Sequence, residues 1–257
     1  MDGSGNPPVQ RIRLVTFLNA SLRPALGVLA ACLAAAAMTA PAHAADSYVQ
    51  QVGTYDYLTQ PDFDGLAPLR TAITGQTLGL GTFDHLDGEF VLVAGTPYRV
   101  STDGTPTVVD PSISTPFAQA IDFHPDTSGP VAPGTTCANL GSAVTDLAGT
   151  TDGIIAVRVR GTFTNLLTRS VPRQDSPYPP LSQVVAGQTE FPLGEQRAVL
   201  VGFWQGDDMK GIGQPGLHLH GVTADREAGG HVLSCTLGGD IQLSVQRTDG
   251  VVVHSHR

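Results

Sequence analysis

Apolar and polar residues alternate in short runs along most of this chain, and glycine or proline closes many of the runs. Val157-Arg158-Val159-Arg160 is a clear case. Successive strand side chains leave on opposite faces, so the two valines share one face and the two arginines the other. The same reading predicts strands over 78–83, 89–93, 98–101, 154–160, 163–171, 197–204, 216–222, 231–237, 241–246 and 251–254. Leu86-Asp87-Gly88 reads as the reversal of a hairpin, with Glu89 opening its second strand. Helical spacing is rare. Residues 64–73, with an acidic start, and 136–147 are the two candidate helices. Residues 125–134 and 172–180 are turn-rich connections, and the first is a natural divide between two sheet layers. Thirty glycines and 19 prolines agree with a sheet-dominated α+β fold.

Residues 1–44 differ in kind. Arg11, Arg13 and Arg23 precede an alanine-rich apolar stretch from Ala25 to Ala40, and Ala42-His43-Ala44 is a small-x-small cleavage pattern. A removable secretory signal is expected, with the mature chain starting at Ala45 in a secreted or periplasmic compartment. The apolar stretch is shorter than the roughly 20 residues a bilayer requires, and no later segment is apolar enough to span one. Residues 45–257 form the expected single domain, with a subdomain division near 125–150. The whole chain carries a formal charge of −9; without the leader, 11 basic and 22 acidic residues remain, a net −11. That balance argues against nucleic acid as a partner, and any anionic ligand must be held by local cations. Cys137 and Cys235 remain after the leader, and an exported protein can join them. Homodimerisation stays open.

Against this background His218-Leu219-His220 and His231 are conspicuous. In a strand His218 and His220 project from one face, and Gly229-Gly230 suits a reversal that brings His231 across to them. Three neutral imidazoles with one position left open describe catalytic rather than structural zinc. The plain alternative is a polar strand face with a turn-flanking histidine. A cupin would need an acidic ligand soon after the pair, and Glu227 comes too late. His85 and His124 lack a partner at ligand spacing and read as surface residues. Arg158 and Arg160 fit a solvated face better than a second anion site, and Trp204 either lines a cleft or fills the core.

Four segments stand in order: 80–89 containing Gly81-Thr82-Phe83 and Glu89, 157–172 containing Thr168-Arg169-Ser170, 215–220 with the paired histidines, and 225–233 with Gly229-Gly230-His231. Together with Ser114-Thr115-Pro116-Phe117 and Gln174-Asp175-Ser176-Pro177, this set resembles the alpha-acetolactate decarboxylase family. The resemblance implies a two-part α/β structure, two mixed β-sheet subdomains with few helices and a zinc cleft between them. It implies loss of carbon dioxide from 2-acetolactate to give acetoin, with Zn2+ held by His218, His220 and His231. It also implies an active-site arginine at Arg169, an active-site glutamate at Glu89 and a cleft position at Thr82. The chemistry asks for such parts. Charge developing on oxygen wants a Lewis acid, a departing carboxylate suits a guanidinium fork, and the resulting enediolate needs a proton. Each residue also has a duller reading: Arg169 as a surface ion pair, Glu89 as a turn residue, Thr82 as a strand filler.

The pattern departs from the family in two places. The family carries a further glutamate in a C-terminal tail, and this chain ends at Arg257 before one arrives. Either Glu89 serves as the proton donor, or the protein is a non-catalytic exported metal-binding homologue. His254 and His256 read as a frayed end or as a segment folded back over the cleft. Gly221 stands where the resemblance implies an aromatic residue, which suggests a wider pocket.

Overall fold

The computed structural model describes residues 47–255, so the expected leader and His256 lie outside the described residues. In chain order the elements are β1 (Tyr48–Val52), α1 (Tyr55–Thr59), β2 (Ala67–Pro68), α2 (Arg70–Ile73), β3 (Leu78–Thr82), β4 (Glu89–Val93), β5 (Thr96–Val100), β6 (Pro106–Val108), β7 (Ser114–Thr115), β8 (Ala118–Ile121), β9 (Thr127–Pro130), α3 (Cys137–Ala148), β10 (Ile154–Ser170), α4 (Leu181–Ala186), β11 (Thr189–Gln205), β12 (Gly216–Thr223), β13 (Gly229–Leu237), β14 (Gln242–Arg247) and β15 (Gly250–His254). As the residue pattern requires, sheet dominates and helices are few. A seven-stranded sheet runs β15-β1-β8-β3-β4-β5-β6, and the pair β1–β15 is parallel. A six-stranded sheet runs β11-β12-β13-β10-β14-β9, with antiparallel pairing throughout. Because β10 also pairs with β11, the hydrogen-bonding circuit through β11, β12 and β13 closes, which removes free edges where the histidines sit.

β10 organises the second sheet. Its first half is buried on both faces: Ile155, Val157 and Val159 join one core cluster, while Ile154 and Ala156 join another. This is the pattern of a strand covered on both sides. Gly161 then takes φ +141, and a Cβ there would sit 2.7 Å from the Asp240 carbonyl oxygen, so another residue would clash. The register with β11 shifts between Phe163 and Leu166 and again between Leu166 and Leu167. Such bulges bend a strand and re-aim its side chains. Past Gly161 β10 leaves β14 and pairs with β13, which brings Arg169 opposite His231. The two strands expected over 154–160 and 163–171 are therefore one element of 17 residues.

Leu80, Val91 and Phe117 of the first sheet side pack against Ala156, Val201 and Phe203 of the second. On the opposite face of the second sheet lies α3, with Leu140 and Val144 fully buried. Cys137, the first residue of α3, is disulfide-bonded to Cys235 in β13 with a Cα separation of 5.0 Å. Trp204 packs in this same layer and donates from Nε1 to the Thr151 carbonyl at 3.2 Å, so it fills the α3 side and does not line the cleft.

Two expectations need correction. The predicted helix over 64–73 survives only as α2, because Pro68 has no N–H and biases Ala67 towards extended backbone; both residues form β2 instead. His254 is not frayed. It ends β15 with its carbonyl accepting from Gly53 N–H at 3.1 Å and its Nε2 lying 3.0 Å from Gln50 Oε1.

Candidate metal centre and cleft

Register assembles the site. His220 of β12 stands opposite His231 of β13, and His231 stands opposite Arg169 of β10, so three strands carry these side chains in one row. His218, two residues before His220, shares its face. Gly230 makes the row compact: a Cβ there would lie 2.4 Å from the Arg169 carbonyl oxygen, and its φ of +130 suits only glycine.

The ring nitrogens converge. His218 Nε2 lies 3.2 Å from His220 Nε2 and 3.1 Å from His231 Nδ1, and the third side of the triangle is 3.2 Å. A tetrahedral ion with nitrogen ligands at about 2.0–2.1 Å separates those ligands by about 3.3 Å, so the donor set fits one. His220 Nδ1 lies 2.8 Å from the Phe90 carbonyl oxygen. That acceptor requires the proton on Nδ1 and leaves the Nε2 lone pair facing the other rings, the support a metal-binding imidazole commonly has. Burial, together with the nearby Arg169 charge, holds His218 neutral with its pKa down at about 3, and burial pushes His220 and His231 well below the ordinary histidine value. Three buried lone pairs at this spacing repel one another, and a cation offsets that repulsion.

The first sheet supplies the opposite wall. Glu89 opens β4, opposed to Thr82 in β3. Arg169 Nη1 donates to Glu89 Oε1, and Glu89 Oε2 lies 3.5 Å from His220 Nε2. Burial raises the Glu89 pKa, with Arg169 and the Val171 backbone N–H acting in the other direction. Arg169 Nε is buried and has no hydrogen-bond partner. Thr82 spends its hydroxyl hydrogen on the Gly88 carbonyl at 2.8 Å and accepts from Thr115 Oγ1 at its own carbonyl, 2.7 Å away. It therefore braces the turn that presents Glu89.

These groups open into a cavity of about 290 Å³ whose other walls are largely apolar, including Leu58, Leu86, Val171, Leu181 and Val185. All six residues singled out in the sequence, Thr82, Glu89, Arg169, His218, His220 and His231, line it. The apolar walls were not anticipated, nor were Gln188 and Gln214, which also reach it. His85 is not a plain surface residue. Its Nδ1 meets Tyr178 Oη at 2.6 Å, Tyr178 also bonds Asp64, and Gln174 N–H donates to the His85 carbonyl at 2.8 Å. These contacts secure the segment that leads into α4 and its cavity residues. Gly221 does not widen the pocket: a Cβ there would point at Leu200, 2.3 Å from its Cδ2, on the face away from the histidines. His124 is exposed and paired with Asp122 at 2.9 Å, as a surface residue should be.

Comparison with known proteins agrees with this constellation. The sequence profile described as alpha-acetolactate decarboxylase matches residues 49–256. A protein of that name from Methanosarcina mazei is 36% identical over 203 residues, covering 78% of this chain and 70% of the relative. Another from Methylococcus capsulatus is 33% identical, covering 75% and 74%. The crystal structure of alpha-acetolactate decarboxylase from Bacillus subtilis strain 168 superposes with a TM-score of 0.77 at 29% identity, covering 81% of this chain and 88% of that one. The chain belongs to the alpha-acetolactate decarboxylase family and is a decarboxylase, a carboxy-lyase, of that family.

Proposed function

We propose that this chain converts 2-acetolactate to acetoin and carbon dioxide with a zinc ion held by His218, His220 and His231. The observation that carries the reading is a nitrogen triangle with sides of 3.1–3.2 Å beside a buried Arg169–Glu89 pair in one cavity. A divalent ion in that triangle supplies Lewis-acid stabilisation of negative charge on the substrate oxygens, on the order of several kcal/mol. The remaining work belongs to the protein. Arg169 lines the cavity, and its planar guanidinium suits a substrate carboxylate. As the carbon–carbon bond breaks, its electron pair moves into the adjacent ketone and leaves an enediolate. Glu89, buried and with a raised pKa, is suited to carry the proton that quenches that species, and solvent restores it afterwards. The apolar walls exclude water while charge is present, which strengthens each of these contacts. Thr82 acts as a positioning residue for the Glu89 turn.

The alternative of a non-catalytic metal binder gains no support from this geometry, since metal binding alone has no use for a buried Arg169–Glu89 pair in the same cavity. Export is part of the proposal: the basic, apolar and small-x-small pattern of residues 1–44 supports it, and so does a disulfide between Cys137 and Cys235. N-terminal sequencing of protein recovered outside the cytoplasm should start at Ala45. For the activity, the test is metal content and acetoin formation from racemic 2-acetolactate on one preparation. Turnover should vanish with a chelator and return with zinc, and His218→Ala should lose both bound metal and turnover. Full activity in metal-free protein would overturn the zinc assignment.

A further inference from the structure

A second cavity, of about 260 Å³, opens at the other end of the β3–β4 ladder. Leu78 and Val93, opposed at that end, line it, whereas Thr82 and Glu89 line the first cavity. Four residues of strand place the two about 13 Å apart. Three arginines line this second space. Arg158 and Arg160 come from one face of β10, and Arg226 from the turn between β12 and β13.

None of the three has a carboxylate partner. Among the described residues, the arginines in ion pairs are Arg99, Arg169, Arg173, Arg197 and Arg247. In a chain of net charge −9, three unpaired arginines on one cavity need a reason. The neighbouring acids make their hydrogen bonds elsewhere, Asp122 with Thr77 Oγ1 and His124 and Asp225 with Thr223 Oγ1 and the Glu227 N–H, although Asp225 feels the Arg226 charge beyond ion-pair distance. The arginines are held by neutral groups instead. Arg158 lies 5.0 Å over the Phe123 ring, and its buried Nε has no partner. Arg160 donates from Nε and Nη2 to Gln242 Oε1. Arg226 donates from Nη1 to the Thr223 carbonyl at 2.7 Å and stacks 5.7 Å from Tyr98, on a backbone with φ of +66 that a side-chain-bearing residue rarely adopts. Burial, and after it the adjacent Arg160 charge, pushes the Arg158 guanidinium below its ordinary pKa.

We propose that this cavity binds a small oxyanion of two negative charges, inorganic phosphate or a short dicarboxylate, between Arg158, Arg160 and Arg226. Planar guanidinium forks suit such oxygens, and the cavity volume admits a molecule of this size. The site is separate from the Arg169 cleft and does not depend on the decarboxylation reading.

Isothermal titration of the metal-loaded enzyme tests it, with inorganic phosphate, sulfate and succinate as separate titrants and sodium chloride as the ionic-strength control. One saturable event is expected that persists in Arg169→Gln, which removes the guanidinium of the first cleft, and in His218→Ala, which removes its metal. Losing one charge-assisted donor should weaken that event about 10- to 100-fold in Arg158→Gln and in Arg226→Gln. Arg158→Lys should keep part of the affinity, and Arg226→Gln, on an exposed turn, guards against a folding defect at β10. Tighter binding of phosphate or of succinate identifies which oxyanion the site prefers. Binding that disappears with Arg169→Gln, affinity unchanged in both arginine-to-glutamine variants, or no saturable event with any titrant would each overturn the proposal.

Discussion

Replacing both Cys137 and Cys235 by serine should lower thermal stability sharply while leaving the metal site almost untouched. The two cysteines are 98 residues apart in sequence, so their bond closes a long loop. By the chain-entropy relation, a loop of that length constrains the unfolded ensemble by about 4.7 kcal/mol. For a domain of this size each kcal/mol moves Tm by about 2–4 °C, which gives a fall of about 10–20 °C. The native side of the balance argues for an intact site. α3 remains anchored by Leu140 and Val144, both fully buried, and β13 remains paired with β10 and β12 on either side of His231. Zinc affinity and kcat at 25 °C should therefore stay within about twofold, since the effect acts on the unfolded chain. The assay is a thermal melt beside a zinc-competition titration and an acetoin assay, with the oxidised wild type as reference. A Tm shift under 3 °C would refute the entropic argument, and loss of zinc from a folded variant would refute the claim that strand pairing alone holds His231.

Other outcomes follow from the same geometry. Glu89→Gln keeps the shape of the Arg169 contact but removes the mobile proton, so kcat should fall about 10²- to 10⁴-fold with zinc retained; an unchanged kcat would remove Glu89 from proton transfer. Metal-free protein should lose stability as pH falls below 6.5, because the three buried histidines stay neutral in the fold yet take up protons when it opens. His218 contributes about 2 kcal/mol less at pH 5 than at pH 7, His220 and His231 act in the same direction, and the raised pKa of Glu89 acts with the opposite sign. A urea midpoint that fails to drop between pH 7.5 and pH 5 would contradict it. Gly221→Ala should destabilise by about 1–3 kcal/mol, since its methyl meets Leu200 and the Val199 carbonyl, and a neutral denaturation profile would show that the layer yields more easily than its packing implies.

How much of this was legible beforehand differs from residue to residue. The convergence of His218 and His220 needs only the period of a strand, and β4 begins after the Asp87-Gly88 reversal and runs through a short apolar stretch, both visible in the sequence. Strands outside a clear alternating run, β1 and β8 among them, left no such trace: Gln51 and Gln119 are fully buried polar residues that bond each other at 2.7 Å, which looks like surface in a sequence. The solvated-face reading of Arg158 and Arg160 followed from alternation too. Arg160 is exposed as that reading expects and yet lines the second cavity, whereas Arg158 is half-buried over Phe123, a residue of the loop after β8 that local alternation could not bring to it.

From the amino-acid order alone came the sheet-dominated architecture, the paired histidines with a third after a double glycine, and the retained glutamate and arginine. Those depend on local periodicity and on residue chemistry, which are short-range. The tertiary structure alone decided that His220, His231 and Arg169 share a row across three strands, that the Phe90 carbonyl orients His220, and that three arginines meet at a second cavity. Register, bulges and backbone carbonyl positions set those distances, and none of them leaves a side-chain pattern along the chain.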